Sequence, residues 1–306
     1  MRYGFRKVVW LVLGMLVVVT SGWGAEEVGK KDRLQVLMIG NSFSQSVYRY
    51  LPEVAKSAGC ELVLEDLNIG GCPFQRHWEN ITKEEADSEY RFFKKYSYRE
   101  KLQSRPWDIV TVQQASYWSW RPETYQPEAK LLVDFVRKNA PQAEVVIQQT
   151  WAYRPDDGRL AQWNITQREM YEKLLEAYNQ AAKEMGLRII PTGTAVQTVR
   201  ETQPGGYHPF QRADFQYPDL PKMDGFLCGN IGWNKDRTRL EGDAFHLNRR
   251  GEYLQACVWF AALYGRSTEE ITFEPKELSS EDAAFLRKTA QKVVESFPQP
   301  SLPTNH

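Results

Sequence analysis

The chain has 306 residues, with 39 basic and 39 acidic side chains and no net charge. That balance excludes the concentrated basic face that nucleic-acid binding requires. The four cysteines, Cys60, Cys72, Cys228 and Cys257, are too few for a disulfide scaffold of this size. They also lack the Cys-x-x-Cys spacing or nearby histidine pair of a zinc site.

Taken in chain order, the first 24 residues have the form of an export signal. Arg2, Arg6 and Lys7 precede an apolar run from Val8 to Val19, and small residues follow at Ser21, Gly22, Gly24 and Ala25. The run is shorter than the roughly 20 residues a spanning helix needs, so cleavage after Gly24 or Ala25 is expected. The mature chain would then be secreted or periplasmic, with no stable membrane association. Residues 25–298 read as one domain, with irregular insertions near 72–104 and 201–242 and a flexible tail over 299–306.

Within that domain, short apolar runs alternate with helical periodicities. Leu34–Ile39, Leu62–Leu67, Ile109–Val112, Glu144–Gln148 and Leu187–Ile190 read as buried strands. Helices are expected from about Tyr50 to Ala58, with Pro52 in the first turn, over Leu131–Val136, and over Glu169–Met185 up to Gly186. Others are expected near Ala195–Arg200, over Asn248–Tyr264 and over Ala283–Phe297. This alternation predicts a parallel sheet of about five strands covered on both faces, a three-layer α/β/α architecture. If 61–69 is extended its ends lie about 25–30 Å apart, so Cys60 and Cys72 cannot bridge.

In open parallel sheets ligands bind beyond the carboxyl ends of the strands, and the chemically interesting residues fall there. Gly40-Asn41-Ser42 follows the first strand, Gly70-Gly71-Cys72 the second, Gln113-Gln114-Ala115-Ser116 the third and Thr150-Trp151 the fourth. Asp243-Ala-Phe-His246 precedes the long final helix. Ser42 or Ser44 read alone is a helix cap. Beside Asp243 and His246, Ser42 becomes a candidate nucleophile, because its hydroxyl needs an imidazole base and a carboxylate to orient that base. His77 and His208 have no partners at metal-ligand spacing, and no metal or other cofactor is expected.

These blocks resemble the SGNH (GDSL-type) serine hydrolases. Gly40-Asn41-Ser42 matches their first block, and Asp243 and His246 their last. In the middle blocks Gln113-Gln114 stands where Gly-x-Asn-Asp is usual. That departure, with Gly70-Gly71-Cys72-Pro73, is similar to the sialic-acid and carbohydrate O-acetylesterase branch, in a little-characterised bacterial subgroup. The resemblance implies a flavodoxin-like sheet and a triad of Ser42, His246 and Asp243. It also implies an oxyanion hole made by the N–H groups of Ser42 and Gly71 (or Gly70), with a third donor from Gln114 or its neighbour Gln113. The activity implied is an esterase removing a short acyl group, most simply acetyl, from a carbohydrate. Trp118, Trp151 and Trp233, among ten tryptophans, are candidate sugar-stacking side chains, with Gln149, Arg154 and Asn234 as polar neighbours. A lipid or aryl esterase on the same triad, or a sugar-binding module without turnover, are the alternatives.

Overall fold

The computed structural model describes residues 31–300. The expected export signal over 1–24 lies outside the described residues, as does most of the expected tail. Five parallel strands form the central sheet: β1 (Arg33–Ile39), β2 (Glu61–Asp66), β3 (Ile109–Val112), β4 (Glu144–Gln148) and β5 (Arg188–Ile190). Their order is β2-β1-β3-β4-β5, so the chain reverses direction across the sheet between β1 and β3. Every residue of β3 is buried, as befits a strand covered on both faces. In the register, Ile39 is paired with Val112 and Val112 with Ile147. Gly40, Gln113 and Gln148 therefore emerge side by side at the carboxyl edge.

The helices form the two outer layers. After the one-turn α1 (Ser42–Gln45), α2 (Leu51–Ser57) carries Pro52 in its first turn as the sequence requires. It packs with α8 (Thr192–Thr202), α9 (Arg249–Tyr264) and α10 (Ser280–Ser296) on one face of the sheet. On the other face lie α3 (Phe74–Ala86), α4 (Tyr98–Gln103), α5 (Glu128–Asn139) and α7 (Gln167–Met185), with the short α6 (Gly158–Gln162) preceding α7. A capping box, Thr166 with Glu169, starts α7, and Gly186 at φ 62° ends it. Helix α9 is buried almost all round, because sheet, α2, α8 and α10 enclose it. Among the described residues no helix is long and apolar enough to cross a membrane.

Two sequence expectations change. The segment 72–104 is not an irregular insertion but the helical crossover α3–α4 from β2 to β3. Its buried face mixes Phe74 and Ile81 with His77, Asn80 and Glu84, so its apolar stripe is short and interrupted by polar side chains. Glu84 is held there by the N–H groups of Phe92 and Tyr98. The tail begins beyond residue 299, because the Gln299 amide is bonded to both the N–H and the carbonyl of Ile189, at 2.8 and 3.0 Å. The four cysteines are buried free thiols. The 201–242 segment is largely irregular, with one short hairpin of β6 (Gly232–Trp233) and β7 (Leu240–Glu241).

The first turn of α8 approaches the loop after β4 so closely that a Cβ on Gly193 would lie 1.9 Å from the Thr150 carbonyl oxygen. Backbone on both sides leaves no room to yield. Gly193→Ala is therefore expected to cost about 1–3 kcal/mol of stability by overpacking, read from urea unfolding. An unchanged midpoint would contradict that close approach.

Candidate active site

Gly40 ends β1 and lets the chain turn sharply. A Cβ there would meet the Ser44 Oγ at 2.5 Å. Asn41 follows as the N-cap of α1, its Oδ1 accepting from the Phe43 N–H at 3.1 Å. Ser42 is the first helical residue and half-buried, and its N–H is one of the first-turn donors left free of the helix. The carbonyl of Gly40 is occupied twice, by the Ile69 N–H at 3.0 Å and by His77 Nε2 at 2.9 Å.

Asp243 and His246 arrive on the loop just before α9. Ser42 Oγ lies 2.8 Å from His246 Nε2, and His246 Nδ1 lies 2.6 Å from Asp243 Oδ2. The carboxylate fixes the tautomer: Nδ1 carries the proton, and Nε2 is left to accept from the serine. The other carboxylate oxygen, Oδ1, accepts from the N–H groups of Phe245 and His246, at 2.8 and 2.9 Å. Burial alone would raise the Asp243 carboxyl, but the His246 bond and these two N–H donors outweigh it and hold it below its usual range. Sequence separation between Ser42 and His246 is 204 residues, so the fold alone brings them together.

Two neighbouring stretches clamp the loop. Leu227–Asn230 runs along it, with Gly229 N–H donating to the His246 carbonyl at 2.7 Å and Asn248 N–H to the Leu227 carbonyl at 2.9 Å. On the other side Arg154 N–H donates to the Ala244 carbonyl at 2.8 Å. Phe245 lies tilted against the His246 ring at 4.2 Å, and the Arg159 guanidinium lies 4.1 Å over Phe245 and 4.2 Å over Tyr153. Arg159 is itself paired with Asp157 at 2.6 Å. No local sequence signal marks Arg159; only the fold sets it beside the base.

Of the expected oxyanion donors, Gly70 and Gly71 are exposed in a turn closed by Cys72 N–H on the Ile69 carbonyl at 3.1 Å. Gly71 has φ 59°, and no backbone carbonyl among the described residues takes either N–H. Gln114 is a correction. Its Nε2 donates to the Thr124 carbonyl at 2.7 Å, and its Oε1 accepts from Phe74 and Ala115 N–H at 3.1 and 2.8 Å. The side chain staples the loop after β3 to α3 and has no donor left for a substrate. Gln113 does not take its place, because its Nε2 donates to Asn41 Oδ1 at 2.6 Å.

The tryptophans divide similarly. Trp151 is fully buried, stacked on Phe43 at 4.2 Å, with Nε1 donating to the Phe245 carbonyl at 2.7 Å. It props the histidine loop from below and offers no face to a sugar. Trp118 is half-buried beside Tyr117. Trp233 is half-buried in β6, its Nε1 bound to the Asp219 carbonyl at 3.1 Å. Arg154 is buried and committed to Asp156 and the Cys228 carbonyl. Gln149 is buried and accepts from Thr194, while Asn234 folds back on Thr238 in its own turn. Among the described residues no three His, Cys, Asp or Glu side chains gather as a metal site. A cavity of about 580 Å³ opens between the starts of α9 and α10, lined by Phe226, Arg249, Asp282 and Phe285 among others. It does not include Ser42 or His246.

The sheet ordered 2-1-3-4-5, with a serine after its first strand and an Asp-x-x-His loop ahead of α9, has the three-layer α/β/α arrangement that the sequence resemblance implies. The chain belongs to the family described as "Domain of unknown function (DUF4886)", whose profile matches residues 35–220, a span that holds Ser42 and Gln113 and stops short of Asp243. No curated protein matches it in sequence. Among solved structures it is similar to a DUF4886 family protein from Bacteroides uniformis ATCC 8492, with 27% identity over 89% of this chain and 99% of that one and a TM-score of 0.69. Two further similar structures are a candidate SGNH hydrolase from Slackia heliotrinireducens (21% identity, 74% and 96% of the two chains, TM-score 0.46) and an acetyl xylan esterase, AlAXEase (14%, 75% and 100%, 0.44).

His77 supplies a pH test of how the serine turn is held. It is wholly buried between the Tyr98 hydroxyl (2.7 Å) and the Gly40 carbonyl. Burial pushes it down from 6.5 to about 4 although the Gly40 bond opposes this. As pH falls below about 6.5 the unfolded chain takes up a proton that the folded chain refuses. Stability should therefore decline from there towards pH 4 and level off below. Urea midpoints across pH 4–7 should fall less steeply in His77→Gln than in the parent; parallel slopes would show that His77 is not the neutral brace.

Proposed function

We propose that the protein is an exported serine esterase that removes short acyl groups, acetyl above all, from a carbohydrate. The observation that carries the reading is the continuous hydrogen-bonded line from Ser42 through His246 to Asp243, beside a glycine turn with free N–H groups. Ser42 Oγ attacks the ester carbonyl while His246 Nε2 takes its proton, and Asp243 stabilises the imidazolium. The Ser42 and Gly71 N–H groups receive the negative charge on the former carbonyl oxygen. Collapse of the tetrahedral intermediate returns the proton through His246 to the sugar hydroxyl, which leaves. Water, activated by the same imidazole, then frees the carboxylate and restores Ser42.

The carbohydrate preference is supported by the character of the side chains near the loops bearing the triad. Half-buried Tyr117, Trp118, Trp120 and Trp163 combine flat apolar rings with polar edges, and Arg159 and Arg121 add donors among them. An aliphatic tunnel for a fatty chain would need a different lining. Export rests on the form of residues 1–24.

Ser42→Ala and His246→Ala should each lower kcat by about 10⁴-fold or more, with Asp243→Asn less severe than His246→Ala. A fluorophosphonate should label Ser42 and leave Ser44 and Ser116 untouched. The triad needs no metal, so EDTA should leave the rate unchanged. Rates on 4-nitrophenyl esters should drop steeply from acetyl to butyryl to octanoyl, and acetate should be released from at least one acetylated polysaccharide or sialic acid. Undiminished octanoyl hydrolysis without any acetate release would replace this reading with a lipid or aryl esterase.

A further inference from the structure

Resting on the esterase reading, we propose that Gln113 is a positioning residue for acyl transfer. Acting through the Asn41 amide, it holds the Gly70–Gly71 turn in register with Ser42. The contacts around Asn41 are directional. Asn41 is 1% exposed and Gln113 fully buried, so neither amide can turn to water for a missing partner. Asn41 Oδ1 accepts twice, from the Phe43 N–H at 3.1 Å and from Gln113 Nε2 at 2.6 Å. Its Nδ2 donates to the Cys72 carbonyl at 3.1 Å. One side chain therefore ties together the loops that follow β1, β2 and β3.

The polarity of the line is enforced. A flipped Asn41 amide would set its NH₂ against two donors. Gln113 is in turn fixed by Ser44, whose Oγ donates to Gln113 Oε1 at 2.7 Å. The direction runs from the Ser44 hydroxyl through Gln113 and Asn41 to the Cys72 carbonyl, which terminates the glycine turn. That turn has three further attachments: Ile69 N–H on the Gly40 carbonyl, Cys72 N–H on the Ile69 carbonyl, and Tyr117 hydroxyl on the Gly71 carbonyl at 3.1 Å. None of these three passes through the N-cap of the serine helix; the Asn41 bond does. Asn41 is thus the link by which the nucleophile and the glycine N–H groups keep one spacing, and Gln113 sets how that link points.

An oxyanion site acts through donors fixed before the charge develops, and a misplacement of about 1 Å is worth about 100-fold in rate. Loosening the link should therefore show in kcat and in transition-state binding rather than in substrate affinity. Gln113→Met keeps the volume and removes both hydrogen bonds. With active sites counted by end-point fluorophosphonate labelling, it should lower kcat for 4-nitrophenyl acetate by about 10–100-fold with KM little changed. The affinity of a trifluoromethyl ketone analogue should fall by the same factor, and the acid limb of the pH profile should stay where it is. Asn41→Ala should lose at least as much, and the double variant should lose no more than the worse single, because both act on one link. If Gln113→Met does not fold, Ser44→Ala, which frees Gln113 at its far end, should show the same signature at smaller amplitude. A loss confined to KM, a shifted acid limb, or additive losses in the double variant would overturn the proposal. Ser42→Ala is assayed alongside. Should it stay active, the esterase reading and this inference fall together; should it be inactive while Gln113→Met keeps the parent kcat, this inference alone falls.

Discussion

The constraint on which the rest of the structure depends is the burial of polar side chains at the carboxyl edge of the sheet. Gln113, Gln114, Gln148 and Gln149 are all inaccessible to solvent. A buried amide left without partners costs about 1–3 kcal/mol, and the loops above the sheet supply partners to Gln113, Gln114 and Gln148 and to the amide oxygen of Gln149. Gln148 reaches the Phe43 carbonyl, which Gln255 of α9 also donates to, at 2.9 Å. Gln149 receives the N–H and hydroxyl of Thr194 at the start of α8. Gln114 joins the loop after β3 to α3. The serine turn is thus seated on a layer of amides as well as on the Phe43–Trp151 stack, and the amides add hydrogen-bond direction, which packing alone does not specify.

This layer also explains which parts of the molecule could be read from the sequence. The five strands were legible because parallel strands buried on both faces appear as plain apolar runs. The candidate triad was legible because its two halves are local motifs, a serine directly after a strand and a carboxylate three residues ahead of a histidine. The same double burial made the glutamines ambiguous: with Ile109 to Val112 all inside, no alternation tells whether Gln113 or Gln114 faces the serine. Both turned out to point into protein. Trp151 misled for a related reason. It follows a strand and so resembles a loop residue, but Phe43 below and the Phe245 peptide above enclose it. Helix α3 was harder to read because His77, Asn80 and Glu84 interrupt its buried face, although the Ser97–Glu100 capping box of α4 was there to be read.

The 201–242 segment shows what a long irregular stretch contributes. Its Leu227–Asn230 stretch runs along the histidine loop, and the approach is so close that a Cβ on Gly229 would sit 1.8 Å from the Asp243 carbonyl oxygen, at a φ of 72° suited to glycine. Deeper in, Asp156 is shared by Arg154 and Arg212, and Arg212 donates onward to the Gly242 carbonyl. Burial would raise the Asp156 carboxyl, but the two guanidinium groups hold it low. Removing either partner of such a buried cluster strands a charge, typically at about 3–5 kcal/mol. The segment therefore braces the histidine loop from behind with no regular element longer than three residues.

Gln299 has a consequence away from the catalytic edge. Strand β5 ends the sheet on one side, and such a border strand offers unpaired backbone groups to any extended chain that meets it. By accepting from the N–H of Ile189 and donating to its carbonyl, the Gln299 side chain imitates one residue of a sixth strand. It blocks the central position of a three-residue strand, the point at which an incoming peptide would have to start its ladder. The segment after α10 thus covers the point on this border at which sheet-to-sheet pairing would start.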